Sequence, residues 1–211
     1  VSPDATTTTT TTIMAVVLHS NRHHAVAIPF PAQGHINPMM HFCFKLARDH
    51  GFVVTFVVTQ YHHPLLVRNL APVFLEQGLD IRIVEIPDKR GTGTTTGASS
   101  ILELGHSFFS LLPEFEELFQ SLVIAHSTSD PITHPPPSLI VYDFYFPFLL
   151  ELGTKFSLPC IAFYAGSAGA LASIMAVNQG HRSGNNPPFP TSSFLAHTSH
   201  RSKHFVCYVV Q

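Results

Sequence analysis

The chain has 211 residues, of which 45% are hydrophobic and 11% are charged, and its formal net charge at pH 7 is -2. A chain of this length and apolar content can bury a substantial core, which excludes an intrinsically disordered protein and indicates one α/β domain. The balance of charges gives neither a basic stripe for nucleic acid nor a polybasic surface for an anionic membrane, so we expect a small-molecule ligand.

The two ends of the chain read differently from its middle. The unbroken run Thr6–Thr12 has nothing to bury, so we expect a disordered leader over residues 1–20. From Gly180 onward the sequence is rich in proline, serine and histidine, which predicts an irregular tail over residues 183–211. The folded domain should therefore lie within residues 21–182.

Between these ends, strand-like and helix-like segments alternate. Short β-branched or apolar runs predict the strands Ala25–Phe30, Phe52–Thr59, Ile81–Ile86, Leu139–Tyr142 and Cys160–Phe163. Apolar residues at helical spacing predict the helices Asn37–Asp49, Leu65–Gln77, Ile101–Leu112, Pro113–Ala125, Pro147–Phe156 and Ser167–Val177. Successive βα units imply parallel strands, so the fold class is α/β with a doubly wound, mostly parallel, Rossmann-like sheet. The Gly/Thr-rich segment Asp88–Ser99 predicts a mobile loop.

Two polar residues follow strands that such a sheet places side by side. With the strand order 3-2-1-4-5, ligands bind beyond the carboxyl ends of strands 1 and 4, where the order reverses. His35 follows the first strand and Asp143 ends the fourth, so topology brings them to one crevice. A carboxylate that holds a histidine makes a general base able to activate a hydroxyl. In the alternative reading, His35 sits in a helix's first turn and Asp143 caps the next helix.

The residues around this pair form recognisable motifs. Residues 29–38 read Pro-Phe-Pro-Ala-Gln-Gly-His-Ile-Asn-Pro, which closely resembles the first-loop motif of plant family 1 glycosyltransferases. Residues 140–145 read Ile-Val-Tyr-Asp-Phe-Tyr and resemble the family's aspartate-bearing strand end, and the likeness runs from about Ala25 to Val177. The resemblance implies the amino-terminal, acceptor-side domain of an inverting GT-B enzyme. Such an enzyme transfers a sugar, here expected to be glucose, from a UDP-sugar to a hydroxyl of a small plant metabolite or hormone.

The same resemblance implies roles for individual residues. His35 would deprotonate the acceptor hydroxyl and Asp143 would orient it. Gly34 would allow close backbone approach to the donor sugar, and Ala165 and Ser167 would border the sugar-phosphate region. The expected acceptor-lining residues are Phe108, Phe144, Phe148 and Tyr164. The UDP-sugar is a co-substrate, and neither a cofactor nor a metal is expected.

One departure from the family concerns the donor. Its donor-binding signature lies in a carboxyl-terminal domain and is introduced by tryptophan, but this chain contains no tryptophan. We therefore expect a truncated chain that lacks the donor domain and is inactive alone. A catalytically silent domain that binds an acceptor or a protein partner is the alternative.

Other site types fit the sequence less well. Residues 165–169, Ala-Gly-Ser-Ala-Gly, approximate the nucleophile elbow of an α/β-hydrolase, but no acidic residue follows Glu151 to complete a triad. The loop after the first strand has the single glycine Gly34, so the dinucleotide-binding fingerprint is missing. Candidate metal ligands in the tail are His197, His200 and His204, although no carboxylate is nearby to support them. The stripe Phe108, Phe109, Phe115 and Phe119 fits an acceptor pocket or a core equally well.

The cysteines and apolar runs bear on location. Cys43, Cys160 and Cys207 are odd in number and widely spaced, which favours unpaired thiols in a reducing compartment. The run Ile13–Leu18 is too short for a signal-peptide core, and no later run reaches the roughly 18 apolar residues of a membrane span. The sequence thus predicts a cytoplasmic protein without integral membrane association.

Overall fold

A computed structural model describes residues 22–87, 108–128, 135–167, 170–171, 173 and 205–209 of the chain. The predicted leader, the loop Asp88–Ser99, the first part of the predicted helix Ile101–Leu112 and the three tail histidines lie outside these residues.

The strands of the described residues form one six-stranded parallel sheet. Its strands are β1 (His24–Ile28), β2 (Val53–Thr59), β3 (Ile81–Ile86), β4 (Leu139–Asp143), β5 (Cys160–Tyr164) and β6 (Phe205–Val209). The strand order is β3-β2-β1-β4-β5-β6, and every neighbouring pair is parallel. The order reverses between β1 and β4, which confirms the doubly wound α/β fold.

Helices cover both faces of the sheet. They are α1 (Gln33–His50), α2 (His63–Glu76), α3 (Leu112–Thr128) and α4 (Leu150–Phe156), and a short 3-10 helix over Pro147–Leu149 leads into α4. On one face, α1 and Phe74 of α2 pack against Phe56 and Val141. On the other, α3 and α4 pack against Val26 and Ile140. Because both faces are covered, the central strands β1 and β2 are buried at every position rather than at alternate ones.

Helix α1 begins earlier than the sequence predicted. It starts at Gln33 rather than Asn37, because the carbonyl of Ala32 accepts hydrogen bonds from the amides of both His35 and Ile36. Pro38 therefore lies inside the helix and has no N–H to donate to the Gly34 carbonyl. His35 is thereby held in the first turn of a regular helix rather than in a loop.

The tail also differs from expectation in its described part. The sequence predicts an irregular segment over residues 183–211, but Phe205–Val209 forms β6 and pairs with β5. The run Phe-Val-Cys-Tyr-Val is rich in β-branched and aromatic residues, which favour strands. The prediction was wrong for these five residues because the proline, serine and histidine residues that precede them were given more weight than this short run.

Candidate active site

The sheet brings His35 and Asp143 to the same carboxyl edge. β1 and β4 are adjacent, with Ile28 in register with Tyr142, so the residues that follow each strand emerge side by side. Asp143 is the last residue of β4, and His35 lies in the first turn of α1, which begins soon after β1 ends. His35 and Asp143 therefore lie at the topological switch point, where the carboxyl ends of β1 and β4 are side by side.

The two side chains are hydrogen bonded. Nδ1 of His35 lies 2.8 Å from Oδ2 of Asp143, which is 1% exposed, whereas the imidazole is 24% exposed. A carboxylate oxygen accepts this hydrogen bond from Nδ1–H, so in the neutral imidazole Nε2 is the nitrogen that has the free lone pair. The arrangement leaves the histidine with an unprotonated nitrogen that can act as a base.

The aspartate is fixed from its other side by the chain that follows it. Oδ1 of Asp143 accepts a hydrogen bond of 3.1 Å from the amide of Tyr145, and the Asp143 carbonyl accepts one of 2.8 Å from the amide of Phe146. A carboxylate bonded to the amide two residues on is a common turn device. Each carboxylate oxygen thus has a donor, and the carboxylate plane is set by the backbone.

Aromatic rings surround the imidazole. Ring centroids of Phe30 and Tyr145 lie 5.1 Å and 5.5 Å from that of His35, and the two rings lie 5.9 Å from each other. Phe146 stacks on Phe30 at 5.3 Å. Phe30, Tyr145 and Phe146 were not predicted from the sequence to be neighbours of the dyad. The aromatic run after Asp143 was the available signal, but it does not indicate which rings turn toward the histidine.

The four predicted acceptor-lining residues join the same aromatic network. Phe108 stacks on Phe146 at 4.5 Å, and the half-buried Phe148 lies 5.5 Å from Phe146. Phe144 contacts Tyr164 at 5.5 Å, and both are largely buried. Their contact with an acceptor stays a prediction, since the structure gives Phe108, Phe144 and Tyr164 a packing role as well.

The aromatic stripe that leads into α3 is divided between core and surface. Phe115 and Phe119 are fully buried, whereas Phe109 is 54% exposed and its ring lies 5.3 Å from that of Phe148. The core reading therefore holds for Phe115 and Phe119, and Phe109 remains open to solvent or a ligand.

The three predicted donor-side residues lie in two places. An added Cβ at Gly34 would meet no atom within 4 Å, so packing does not require a glycine there. Ala165 is half-buried against the core on the α1 face. Ser167 is exposed, and its hydroxyl accepts a hydrogen bond of 3.2 Å from the amide of Ala170, as an N-cap residue does. Their part in donor binding stays a prediction.

Two further polar side chains, those of Tyr145 and His24, lie next to the sheet and are partly or fully buried. Burial, and then the charges of Tyr164 and Asp143, raise the pKa of Tyr145 above its ordinary value, so its phenol stays protonated at neutral pH. His24 is buried at the opposite end of β1, with Nδ1 2.8 Å from the Pro135 carbonyl and Nε2 2.8 Å from the Thr55 hydroxyl. His24 is thus a core histidine.

Metal and membrane features were also sought in the described part of the chain. No three His, Cys, Asp or Glu side chains there are grouped so that they could hold a metal ion. None of its helices has the length and apolar character needed to cross a membrane.

Comparison with known proteins gives consistent results. Residues 23–68 match the family "Glycosyltransferase, N-terminal domain". The chain is 37% identical over 146 residues to UDP-glycosyltransferase 85A8 of Stevia rebaudiana, an alignment that covers 69% of this chain and 29% of the relative. It is 35% identical over 148 residues to 7-deoxyloganetin glucosyltransferase of Gardenia jasminoides, covering 70% of this chain and 30% of the relative.

A solved structure supports the fold. The Arabidopsis thaliana protein UGT89C1, complexed with quercetin, superposes with a TM-score of 0.62 at 18% identity and covers 89% of this chain and 43% of that one. The chain spans less than a third of the length of these two curated relatives. The residues that the family model matches include β1, β2 and His35.

Proposed function

Because the chain belongs to the plant UDP-glycosyltransferase family and corresponds to its amino-terminal domain, we propose that it supplies the acceptor-activating half of a glycosyl transfer. The sugar would come from a UDP-sugar, and the acceptor would be a small molecule with a hydroxyl group. The observation that carries the proposal is the hydrogen bond of 2.8 Å between His35 and the buried carboxylate of Asp143.

The proposed step begins with proton transfer. Nε2 of His35 takes the proton of the acceptor hydroxyl as the acceptor oxygen attacks the anomeric carbon. The bond from that carbon to the UDP oxygen breaks, its electron pair leaves with UDP, and the configuration inverts. Asp143 keeps the proton on Nδ1 and stabilises the imidazolium that forms. The step takes its base from this chain, uses the UDP-sugar as co-substrate and calls for no metal.

The acceptor class follows from the surroundings of the imidazole. The half-buried Phe148 and the exposed Phe109 offer ring surfaces next to the aromatic rings that pack around the dyad. Such rings favour flat or apolar molecules that carry a hydroxyl, such as phenolics and terpenoids.

We infer that glucose is the sugar, since one of the relatives is a glucosyltransferase by name. The buried, unbridged Cys43 and Cys160 fit a reducing, cytoplasmic setting.

The experiment compares two forms of the protein with UDP-glucose and a panel of phenolic and terpenoid acceptors. One form is the chain of 211 residues and the other is the product of its full-length transcript. UDP release and the anomeric configuration of the product are measured for each form and for its His35→Ala variant. An inverted glycoside that His35→Ala no longer makes, while UDP-glucose still binds, supports the proposal. Equal turnover by wild type and His35→Ala rejects it.

A second candidate is acceptor binding without transfer by this chain alone. It is favoured by the position of the dyad and of the aromatic ring beside it, which all lie in this chain, so that acceptor binding does not depend on a donor site. Calorimetry separates the two, because this candidate requires acceptor binding by the chain without measurable binding of UDP-glucose.

A further inference from the structure

The single hydrogen bond to Asp143 does not by itself fix the imidazole of His35. It holds Nδ1, but the χ2 torsion of histidine has a broad profile, so the ring could still swing about this contact. A base must aim its free nitrogen at one point, so some other group has to restrict the ring. The exposed fraction of 24% shows that most of the imidazole is covered by neighbours.

Those neighbours form a closed triangle of rings. Phe30 is tilted by 50° to the imidazole and Tyr145 meets it edge-on at 63°, so the two rings bound the imidazole with differently oriented surfaces. Phe30 and Tyr145 also meet each other edge-on, at 61°. All three centroid distances fall within the range of favourable aromatic pairs, about 4.5–7 Å.

Both walls of the triangle have support behind them. Phe30 is 4% exposed and stacks on Phe146, which stacks in turn on Phe108. Tyr145 is half-buried, and its ring meets that of Phe144 edge-on at 6.2 Å. A swing of the imidazole would therefore have to displace rings that are themselves packed.

Tyr145 contacts both members of the dyad. Its amide donates to Oδ1 of Asp143, and its ring packs on the imidazole of His35. We propose that Tyr145 is a positioning residue whose aromatic ring holds His35 in the orientation that directs Nε2 toward the acceptor. The amide contact persists in any non-proline variant, so replacing the side chain isolates the ring. This inference rests on the proposed function only for its consequence on turnover.

Two substitutions separate the ring from the hydroxyl. Tyr145→Phe keeps the ring and removes the hydroxyl, and Tyr145→Leu removes the ring. The matched control is Phe52→Leu, which removes a ring that lies 5.3 Å from the imidazole of His23 at the opposite end of the sheet. Thermal melts identify the variants that fold, and Tyr145→Met replaces Tyr145→Leu if the latter does not.

The first readout needs no turnover. Histidines are labelled with ¹⁵N in the full chain, and the His35 signals are assigned from their loss in His35→Gln. Wild type, Tyr145→Phe and Phe52→Leu should show His35 with its proton on Nδ1, and wild type should show a nuclear Overhauser contact between the rings of His35 and Tyr145. Tyr145→Leu should mix the two tautomers and broaden the signals. An unchanged His35 spectrum in the ring-deleted variant, or no ring contact in wild type, overturns the proposal.

The second readout is kinetic and uses the product of the full-length transcript. Loss of the ring should lower kcat by about 10- to 100-fold, the scale of a misplacement of roughly 1 Å, and leave the KM for UDP-glucose unchanged. Tyr145→Phe and Phe52→Leu should keep the wild-type kcat. A rise only in the acceptor KM of Tyr145→Leu would make Tyr145 an acceptor contact and overturn the positioning role. Absence of transfer by wild type would refute the proposed function but leave the spectroscopic test intact.

Discussion

Replacing Asp143 with asparagine keeps the shape of the side chain and removes its charge. In the native site Oδ1 accepts from the amide of Tyr145 and Oδ2 accepts from Nδ1 of His35. The asparagine must still offer its carbonyl oxygen to the Tyr145 amide, because an amide nitrogen cannot accept that bond. Its NH₂ group then faces Nδ1 and makes that nitrogen an acceptor. The imidazole proton is driven to Nε2, and the base is lost.

The size of the effect follows from this reversal. A hydrogen bond to a charged group contributes about 1.5–3 kcal/mol, and every 1.36 kcal/mol changes a rate by about tenfold. Loss of the bond alone thus predicts a fall of about 10- to 150-fold. Because the wrong tautomer removes general-base catalysis altogether, we expect kcat to fall by about 10²–10⁴-fold. Asp143 is 1% exposed, so water cannot take the place of the lost carboxylate as a hydrogen-bond acceptor for Nδ1 of His35.

The assay measures initial rates of UDP release in the product of the full-length transcript, with acceptors of graded acidity. A phenol that is already ionised at the assay pH needs no base, so it should lose little rate in Asp143→Asn, whereas an aliphatic alcohol should lose the full factor. Asp80→Asn is the matched control. Asp80 pairs with Arg22 and Arg82 at the amino-terminal end of β3 and is 26% exposed, so its loss should leave the rates unchanged.

Two results would refute this reasoning. In the first, Asp143→Asn keeps a rate within about threefold of wild type, which is less than the loss of one charge-assisted hydrogen bond. In the second, the rate falls equally for ionised and un-ionised acceptors, so that the loss does not concern proton transfer.

Three further predictions concern the fold around the site. Gly34→Ala should not lower the free energy of unfolding measured in urea, because the added Cβ meets no atom within 4 Å and alanine favours a helix over glycine by up to about 1 kcal/mol. The same variant should raise the KM for UDP-glucose if the donor sugar approaches the backbone at Gly34. Gly153→Ala should lower that free energy by about 1–3 kcal/mol, because the new Cβ would overlap Sγ of Cys160, and Cys160→Ala should restore part of it. Burial raises the pKa of the Cys160 thiol to about 11, so peptide mass spectrometry should find this thiol modified by iodoacetamide at pH 8 only when urea unfolds the protein. The stabilisation that comes from burying the neutral thiol should be complete below about pH 8.5 and should decline as the pH rises toward 11. Labelling of native Cys160 at pH 8 would contradict the last prediction.

The sequence was sufficient to predict that His35 and Asp143 meet. His35 follows one buried strand and Asp143 ends another, and a doubly wound sheet places those two strand ends together, so no knowledge of side-chain conformation was needed. The rings of Phe30 and Tyr145 could not be placed in the same way. Their contacts with His35 depend on rotamers and on the turn after Asp143, which hydrophobic periodicity does not encode.

The boundaries of the helices and strands were likewise predictable from the sequence at some positions and not at others. The strand Ile81–Ile86 was predicted with the bounds it has, because Gly78 and Pro87 punctuate it on both sides. The start of α1 was misplaced by four residues, since Pro38 suggested a first turn, whereas the helix had already begun at Gln33. The pairing of β6 with β5 joins segments separated by many residues, and no local pattern specifies such a contact.

The proposed reaction requires that Nε2 of His35 receive the acceptor proton. A crystal structure of the full-length transcript product with UDP and a phenolic acceptor that it glycosylates tests this most directly. We expect the acceptor oxygen to lie about 2.6–3.2 Å from Nε2, with Nδ1 still bonded to Asp143. An acceptor whose reactive oxygen lies beyond hydrogen-bonding reach of Nε2 and contacts another basic group would contradict it.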